Sequence, residues 1–334
     1  MRQLVTQYSA DVGKDFDYVQ GAGGNISWKE DNTLWVKASG TWLADARDQD
    51  IFVPVDLEFI NECIEKKQFD EKFVSKDPAS NLKPSIETIL HAVMPHRVVS
   101  HTHLIDAIYY LVQPNYRELL TDLLGNEIRW GVVKYAMPGP KLGKEAAELL
   151  ETGNYDVVFL ANHGVIVGGD TVEEVEAIYE NVRQSLKANL PKMEFAALNH
   201  PTTNKSINDY QINPDEEYQG LALDKAVVKR LRDRWAVYPD HVVFLGAVPP
   251  IFESESELQH ALASDDVNSD YAIVPGQGVF VKASISMSKI AMLNFYYRVL
   301  KYTEDLPNVA VLNEAEICEL LNWDSEKYRQ QIEK

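Results

Sequence analysis

The stretch from residue 83 to residue 103 reads KPSIETILHAVMPHRVVSHTH, and it predicts an amphipathic helix that leads directly into a strand. The β-branched run at 97–104 is typical of a buried strand. Because side chains alternate across a strand, His101 and His103 leave the same face. Glu87 precedes His101 by only 14 residues, so the return of the chain into the strand brings its carboxylate near the two imidazoles.

The pair His101 and His103 suits a metal ion. Two neutral imidazoles on one face can reach a single Zn²⁺ at about 2.0–2.1 Å, whereas two unliganded imidazoles crowd each other and repel when protonated. The same spacing also occurs by chance, so the pair alone does not assign a metal. His163 is a third candidate, because it ends the apolar strand 157–162 directly before Gly164, and sites in α/β folds collect at strand ends. Its alternative role is to cap that strand or to satisfy a core hydrogen bond.

The helix that carries Glu87 begins with Ser85 as its predicted N-cap, which places Glu87 in the first turn. A carboxylate in this position has a plausible chemical role beside the histidines. It also has a structural explanation, since the helix dipole favours acidic side chains in the first turn. The position of Glu87 therefore does not by itself make it functional.

A glycine-rich loop, GAGGNIS at 21–27, has three glycines among four residues. Such a loop exposes backbone N–H groups and tolerates the close approach of a phosphate. Its spacing does not match the Walker or the dinucleotide pattern, so no nucleotide is implied. The Ser-Gly-Thr sequence at 39–41 offers hydroxyls and a second approachable backbone. Taken separately, both segments are also ordinary turns.

The composition excludes several classes of protein. The chain has 334 residues, 45% of them hydrophobic, and its 32 basic and 51 acidic residues give a formal charge of −19, which excludes disordered and fibrous classes. The acidic excess and the lack of a basic run argue against a nucleic-acid or membrane-surface partner. Cys63 and Cys318 show no CxxC pairing, so neither a disulfide framework nor a cysteine zinc site is expected. No run has the length or hydrophobicity of a signal peptide or membrane span, and we expect a cytoplasmic protein.

Short β-rich segments alternate with amphipathic segments, which indicates an α/β architecture. A helix is predicted from Val172 to about Leu190, because Thr171 and Glu174 form a capping box. The predicted strands, beyond the two already described, are at 33–39 and 241–247 and in the pair at 271–283.

The polar, non-periodic stretch 196–222 predicts a linker with a domain boundary near residue 205, and hence domains at 1–205 and 206–334. An offset of 114 residues aligns Ala161–Val167 with Pro275–Val281. This similarity indicates either a degenerate duplication, in which the histidine has become glutamine, or the chance likeness of two strand–turn–strand–helix units.

The order of five motifs resembles the class II aldolase/adducin family over roughly residues 1–190. These are the GNxS loop, the strand ending in Ser-Gly-Thr, the Pro-Ser-x-Glu helix, the His-x-His strand and the Asn-His-Gly strand end. The C-terminal part, with YPDHVVFLG and VPGQGVFV, looks like the second half of the aldolase module of bifunctional aldolase/short-chain dehydrogenase proteins, of the rhamnulose- or fuculose-phosphate aldolase type. No room for a dinucleotide fold is expected after residue 283.

The resemblance implies a three-layer α/β/α domain with a second, smaller α/β domain, usually assembled as a homotetramer. It implies one Zn²⁺ per chain on His101, His103 and His163, with Glu87 as the acid/base that ligates the metal when the site is empty. The residues implied to hold the phosphate of a sugar phosphate are Asn25, Ser39, Gly40, Ser85 and Lys83. The family often has two adjacent serines before the acid; here the second is Ile86, which weakens the phosphate assignment.

The activity that the resemblance implies is retro-aldol cleavage of a ketose 1-phosphate to dihydroxyacetone phosphate and an aldehyde. The alternatives are a sugar-phosphate 4-epimerase or decarboxylase of the same family and a non-catalytic scaffold like the adducin heads. Glutamate at position 87 favours the aldolases, because the epimerases more often carry aspartate there. The C-terminal domain is expected to bind no metal, since Gln277 stands at the position of His163 and amides ligate zinc poorly. Its turn at 275–278 is the candidate functional point of that domain.

Overall fold

The computed structural model describes residues 1–192, 205–264 and 266–332, which form two units. The first unit contains Met1–Leu190 and Asn322–Ile332, and the second contains the described residues of Pro191–Leu321. The division at residue 190 lies ahead of the predicted boundary near residue 205. The last helix groups with the first unit, whereas the sequence predicts that it belongs to the C-terminal domain. The reason lies in packing, because the Trp323 ring fits against Gly139 and the Tyr328 ring lies under the ammonium of Lys83.

The first unit is built on a seven-stranded sheet. Its strands are β1 (Asn25–Glu30), β2 (Thr33–Lys37), β3 (Phe52–Asp56), β4 (Val98–Thr102), β5 (Trp130–Val133), β6 (Val157–Leu160) and β7 (Gly164–Gly169). They are arranged in the order β3-β2-β1-β4-β7-β6-β5. Only the β5–β6 pair is parallel; the other neighbours are antiparallel.

Seven helices of this unit precede residue 190: α1 (Arg2–Lys14), α2 (Leu57–Glu65), α3 (Thr88–Val93), α4 (Ile105–Leu111), α5 (Tyr116–Leu124), α6 (Pro140–Leu150) and α7 (Val172–Lys187). They cover both faces of the sheet. In β6, Val157 and Phe159 pack with α1, α4, α5 and α7, whereas Val158 and Leu160 pack with α3 and α6. This alternation buries both faces and confirms the predicted three-layer α/β/α domain.

The second unit has its own four-stranded sheet, which confirms the predicted second α/β domain. Its strands are β8 (Ser206–Ile207), β9 (Tyr210–Ile212), β10 (Tyr271–Val274) and β11 (Gly278–Lys282), in the order β10-β11-β9-β8. Its helices are α8 (Gly220–Leu223), α9 (Lys225–Val228), α10 (Pro239–Leu245), α11 (Glu255–Ala263), α12 (Met287–Tyr302) and α13 (Glu314–Asn322). The final helix of the described chain, α14 (Asp324–Ile332), belongs to the first unit.

Three local predictions are corrected by the structure. The stretch 241–247 is not a strand but falls largely in α10, where Pro239 occupies the first turn and every residue is buried, so the apolar run carries no helical period. The predicted linker is folded from residue 206 onward as β8, β9 and α8, while its part at 196–204 lies outside the described residues. The helix after Ser85 begins later than predicted, at Thr88.

The other predicted elements are confirmed. Strands occupy the expected stretches at 33–39, 97–104, 157–162 and 271–283. The helix α7 begins at Val172, and the Thr171 hydroxyl accepts the N–H of Glu174 as its N-cap. The carboxylate of Glu174 reaches back to the N–H of Asp170, one residue before the position that a capping box would use.

The hairpin β6–β7 recurs as β10–β11 at the predicted offset of 114 residues and with the same register. On the side of β7 away from β6, Ile166 pairs with His101 of β4. On the corresponding side of β11, away from β10, Phe280 pairs with Ile212 of β9. Ile212 therefore occupies the position of His101, and Pro214, two residues later, that of His103. The shared register favours a duplication, with histidines in the first copy only.

No helix in the ranges that the structure describes combines the length and the hydrophobicity needed to cross a membrane.

Candidate metal centre

Three histidines meet at one end of the sheet in the first unit. His101 belongs to β4 and His103 follows it, while His163 lies in the turn between β6 and β7. Their ligand nitrogens all lie within 4.8 Å of one another, and the three side chains are buried. The structure therefore brings together the three residues that the sequence analysis selected as metal ligands.

The turn that presents His163 depends on its neighbours. Asn162 has φ of +55°, a left-handed conformation that asparagine adopts more readily than most residues, and the His163 N–H closes the turn on the carbonyl of Leu160. A β-carbon at position 164 would lie 2.3 Å from the carbonyl oxygen of Thr102, so only glycine fits there. The sequence Asn-His-Gly thus packs the turn tightly against the end of β4.

Glu87 lies among the histidines from the residue before α3. Its Oε2 is 3.5 Å from Nε2 of His101, and its Oε1 is 3.6 Å from Nε2 of His163. Burial acts to raise the pKa of the Glu87 carboxyl, but the charges of His101 and His163 and a hydrogen bond from Asn25 outweigh it and lower the pKa to about 2. The carboxylate is therefore ionised in this site.

The donor set fits a transition metal. Nδ1 of His101 lies 3.1 Å from the carbonyl oxygen of Val165, and a carbonyl only accepts, so in the neutral ring that a metal requires Nδ1 carries the hydrogen and Nε2 presents its lone pair to the site. This Nε2 and the Oε1 of Glu87 are buried without a hydrogen-bond partner among the described residues. Buried polar atoms without partners are rare, and a bound cation would satisfy both. Imidazole nitrogens suit zinc and its neighbours rather than magnesium or calcium.

The glycine-rich loop lies against the histidines. A β-carbon at Gly23 would be 2.9 Å from Nδ1 of His103 and 2.9 Å from the carbonyl oxygen of Gln20. The ammonium of Lys37 is buried and donates to the carbonyl of Ala22, at 2.9 Å, which holds the loop in place. Glycine at position 23 is therefore explained by the close approach of both an imidazole and a backbone carbonyl.

The five residues selected for phosphate binding are not all together. Ser39, Lys83 and Ser85 line one cavity of about 740 Å³, where the N–H of Ser39 donates to the carbonyl of Lys83 at 2.9 Å. Gly40 directly follows Ser39 but does not line that cavity. Asn25 lies instead beside Glu87, and its Nδ2 donates to Oε2 of that carboxylate at 2.8 Å.

Sequence reasoning missed two residues beside the centre, Ser27 and His91. Ser27 Oγ lies 2.7 Å from Nδ1 of His91, whose Nε2 is hydrogen-bonded to Oδ1 of Asn25. A signal was present in each case, since Ser27 is two residues after Asn25 on a strand and His91 is four residues after Glu87 on a helix. Both spacings place side chains on a common face.

Comparison with known proteins identifies relatives of the first unit. A family model described as the class II aldolase and adducin N-terminal domain matches residues 3–190. An L-fuculose phosphate aldolase of Methanococcus vannielii is 30% identical over 185 residues, or 54% of this chain and 91% of that protein. The uncharacterized oxidoreductase YuxG of Bacillus subtilis is 29% identical over 234 residues, or 64% of this chain, and the chain spans only 31% of that protein. The structure of the N-terminal class II aldolase domain of a conserved protein from Thermoplasma acidophilum is 26% identical, with a TM-score of 0.47 over 55% of this chain and 91% of that chain.

Proposed function

This chain belongs to the class II aldolase and adducin family, and from that premise we propose that it is a zinc-dependent aldolase that cleaves a ketose 1-phosphate. The family match confirms the resemblance predicted from the five ordered motifs. The observation that carries the proposal is the position of Glu87, whose two carboxylate oxygens face two of three clustered and buried imidazoles. A scaffold that had lost its chemistry would have no need of this arrangement.

The three histidines would hold the metal through one nitrogen each, and the hydrogen bond from His101 Nδ1 to Val165 fixes the nitrogen that His101 presents. When bound, Zn²⁺ supplies Lewis-acid stabilisation of the negative charge that develops on substrate oxygens as the bond between C3 and C4 breaks. The electron pair of that bond stays on C3. The C4 hydroxyl loses its proton as C4 becomes the aldehyde, and the ionised Glu87 would take up this proton and deliver it to C3 before dihydroxyacetone phosphate leaves.

The proposed place for the phosphate is the cavity lined by Ser39, Lys83 and Ser85. Two hydroxyls and one ammonium are suitable donors to a phosphate. Asn25 is less suited to this role than its motif implies, because its carbonyl oxygen and one amide hydrogen are already used by His91 and Glu87. Gly40 would contribute only through its backbone beside Ser39.

We also propose a homotetramer in the cytoplasm, with the C-terminal domain forming packing or subunit contacts rather than a second metal site. The proposal rests on the usual assembly of this family and on the predicted lack of a disulfide framework. Light scattering coupled to size-exclusion chromatography would give the mass of the assembly directly. A monomer at micromolar concentration would contradict the proposed tetramer.

The decisive experiment incubates the zinc-loaded protein with a panel of ketose 1-phosphates and detects dihydroxyacetone phosphate with a coupled reductase. Release of this product from any member of the panel supports the aldolase. Conversion of a pentose phosphate to its 4-epimer without cleavage would select the epimerase instead. A protein that takes up zinc and transforms no member of the panel, and that also leaves the corresponding acids undecarboxylated, would support the adducin-like scaffold. The Glu87→Gln variant is the matched control for contaminating activity.

A further inference from the structure

Four buried side chains form a continuous hydrogen-bonded row that ends on Glu87. Ser27 Oγ lies 2.7 Å from Nδ1 of His91, and Nε2 of His91 is hydrogen-bonded to Oδ1 of Asn25. Nδ2 of Asn25 then donates to Oε2 of Glu87 at 2.8 Å. None of the four is more than 5% exposed, so water cannot replace these contacts.

Two regular elements produce the row. Asn25 and Ser27 are two residues apart on β1 and leave the same face of the sheet. Glu87 and His91 are four residues apart, and the N–H of His91 donates to the carbonyl of Glu87 at 3.2 Å, as in a helical turn. The strand and the helix therefore present two side chains each, and the four interlock.

The chemistry of the groups fixes the direction of every bond in the row. Nδ2 of Asn25 donates to Oε2 of Glu87, so the carbonyl oxygen of the same amide faces His91. That oxygen only accepts, so Nε2 of His91 carries the ring hydrogen. Burial and the nearby charge of His101 lower the pKa of His91 to about 3, so the ring is neutral and its Nδ1 accepts from the Ser27 hydroxyl.

We propose that His91 is a positioning residue, which acts through Asn25 to hold Glu87 in its place among the three histidines. The inference rests on the proposed function for its catalytic consequence, but not for its geometry. Without the N–H of His91, the Asn25 amide is free to turn over and present its oxygen to the carboxylate. Two acceptors then face each other in a buried site, and Glu87 moves away from His101 and His163.

The test compares His91→Leu with His91→Gln. Leucine fills similar space but has no donor, whereas the amide nitrogen of glutamine lies near the position of Nε2 and restores the hydrogen bond to Asn25. His96→Leu is the matched control, because His96 is another largely buried histidine of the same unit. Its Nε2 is hydrogen-bonded to Oδ1 of Asp156 at a distance of 2.9 Å, and neither residue belongs to the row. All variants are made in the full chain and loaded with Co²⁺, whose visible absorption spectrum reports the geometry of its ligands.

We expect His91→Leu to shift the Co²⁺ spectrum and to lower kcat by about 10- to 100-fold, the usual size of effects from residues that support metal ligands. His91→Gln should keep the wild-type spectrum and recover most of kcat, and His96→Leu should keep the spectrum whatever its thermal stability. Crystal structures of the two His91 variants should show Glu87 displaced in the leucine variant and in place in the glutamine variant.

The proposal is overturned if Glu87 keeps its position in His91→Leu, or if glutamine perturbs the spectrum and kcat as much as leucine does. A failure of the positioning role of His91 can be distinguished from a failure of the proposed aldolase activity. A wild-type protein without aldolase activity whose spectra and structures still follow the predicted pattern would reject the activity and keep the positioning role. If the wild-type chain takes up no Co²⁺, the displacement of Glu87 in the crystal structures alone decides the question.

Discussion

Gly23 and His103 approach so closely that a β-carbon at residue 23 would lie 2.9 Å from Nδ1 of the imidazole. The glycine-rich loop and the strand that carries the histidine pair are therefore fitted to each other. The loop lies beside the candidate metal centre, and its second glycine is required by both the imidazole of His103 and the carbonyl oxygen of Gln20.

Gly23→Ala should weaken zinc binding by about 10-fold or more, because the methyl group displaces the His103 ring from the other two ligands. Zinc affinity measured by competition with a chromophoric chelator checks this. Gly125→Ala is the control, since Gly125 has φ of +55° and open space around it, so its substitution strains the backbone without touching the histidines. Unchanged zinc affinity in Gly23→Ala would contradict the prediction.

Metal analysis of the purified protein should find one transition-metal ion per chain, most readily zinc. The strand register supports this number, because Ile212, Pro214 and Gln277 stand where the first copy of the hairpin has its three histidines. His101→Ala should abolish binding. His96→Ala, which removes another histidine of the same unit, should retain it. Two ions per chain, or full binding by His101→Ala, would show that the ligands are wrongly assigned.

Glu87→Gln should lower kcat by about 10²-fold or more while most of the metal remains bound. The reason is that a general acid–base group typically accelerates a reaction by at least this factor. The amide cannot carry the proton that the carboxylate carries. Steady-state kinetics and metal content of the same preparation check both parts. Activity close to wild type would mean that another group moves the proton.

Lys83→Met should raise KM for a phosphorylated substrate by about 10- to 100-fold with little change in kcat, because a hydrogen bond to a charged group contributes about 1.5–3 kcal/mol. The ammonium lies 3.6 Å from the centre of the Tyr328 ring and borders the cavity with Ser39 and Ser85. Lys66→Met, at the exposed residue that follows α2, is the control. An unchanged KM would place the phosphate elsewhere.

The second unit should lose stability as the pH falls below about 6.5, the pKa of an unfolded histidine. His241 is fully buried, with neither ring nitrogen hydrogen-bonded among the described residues, and burial lowers its pKa to about 3. The unfolded chain therefore binds a proton between pH 6.5 and 3 that the folded chain does not, and stability falls across that window. At pH 5 the loss from this residue is about 2 kcal/mol.

His241→Phe removes this proton uptake and fits the aromatic surroundings of Trp235, Tyr238 and Tyr296. Melting temperatures measured at pH 7.5 and at pH 5 should therefore differ less in the variant than in the wild type. An equal difference in both proteins would mean that His241 is protonated, or partnered, in the folded state.

The sequence by itself determined the features that depend on local periodicity. The alternation of a strand places His101 and His103 on one face, and the Asn-His-Gly turn presents His163 at a strand end. Five ordered motifs were enough to identify the family and the three-layer fold. The cap of α7 at Thr171 was equally local, because it depends on a side chain and an N–H three residues apart.

Only the tertiary structure decided how distant elements meet. Asn25 and Glu87 are 62 residues apart in the chain, and the partner of a buried amide depends on how its strand and a helix pack together, which no local pattern encodes. The same reason separates Asn25 from the cavity of Ser39 and Lys83, and assigns α14 to the first unit. The helix α10 stands where the sequence predicts a strand, because a segment buried on every side shows neither the period of a strand nor that of a helix.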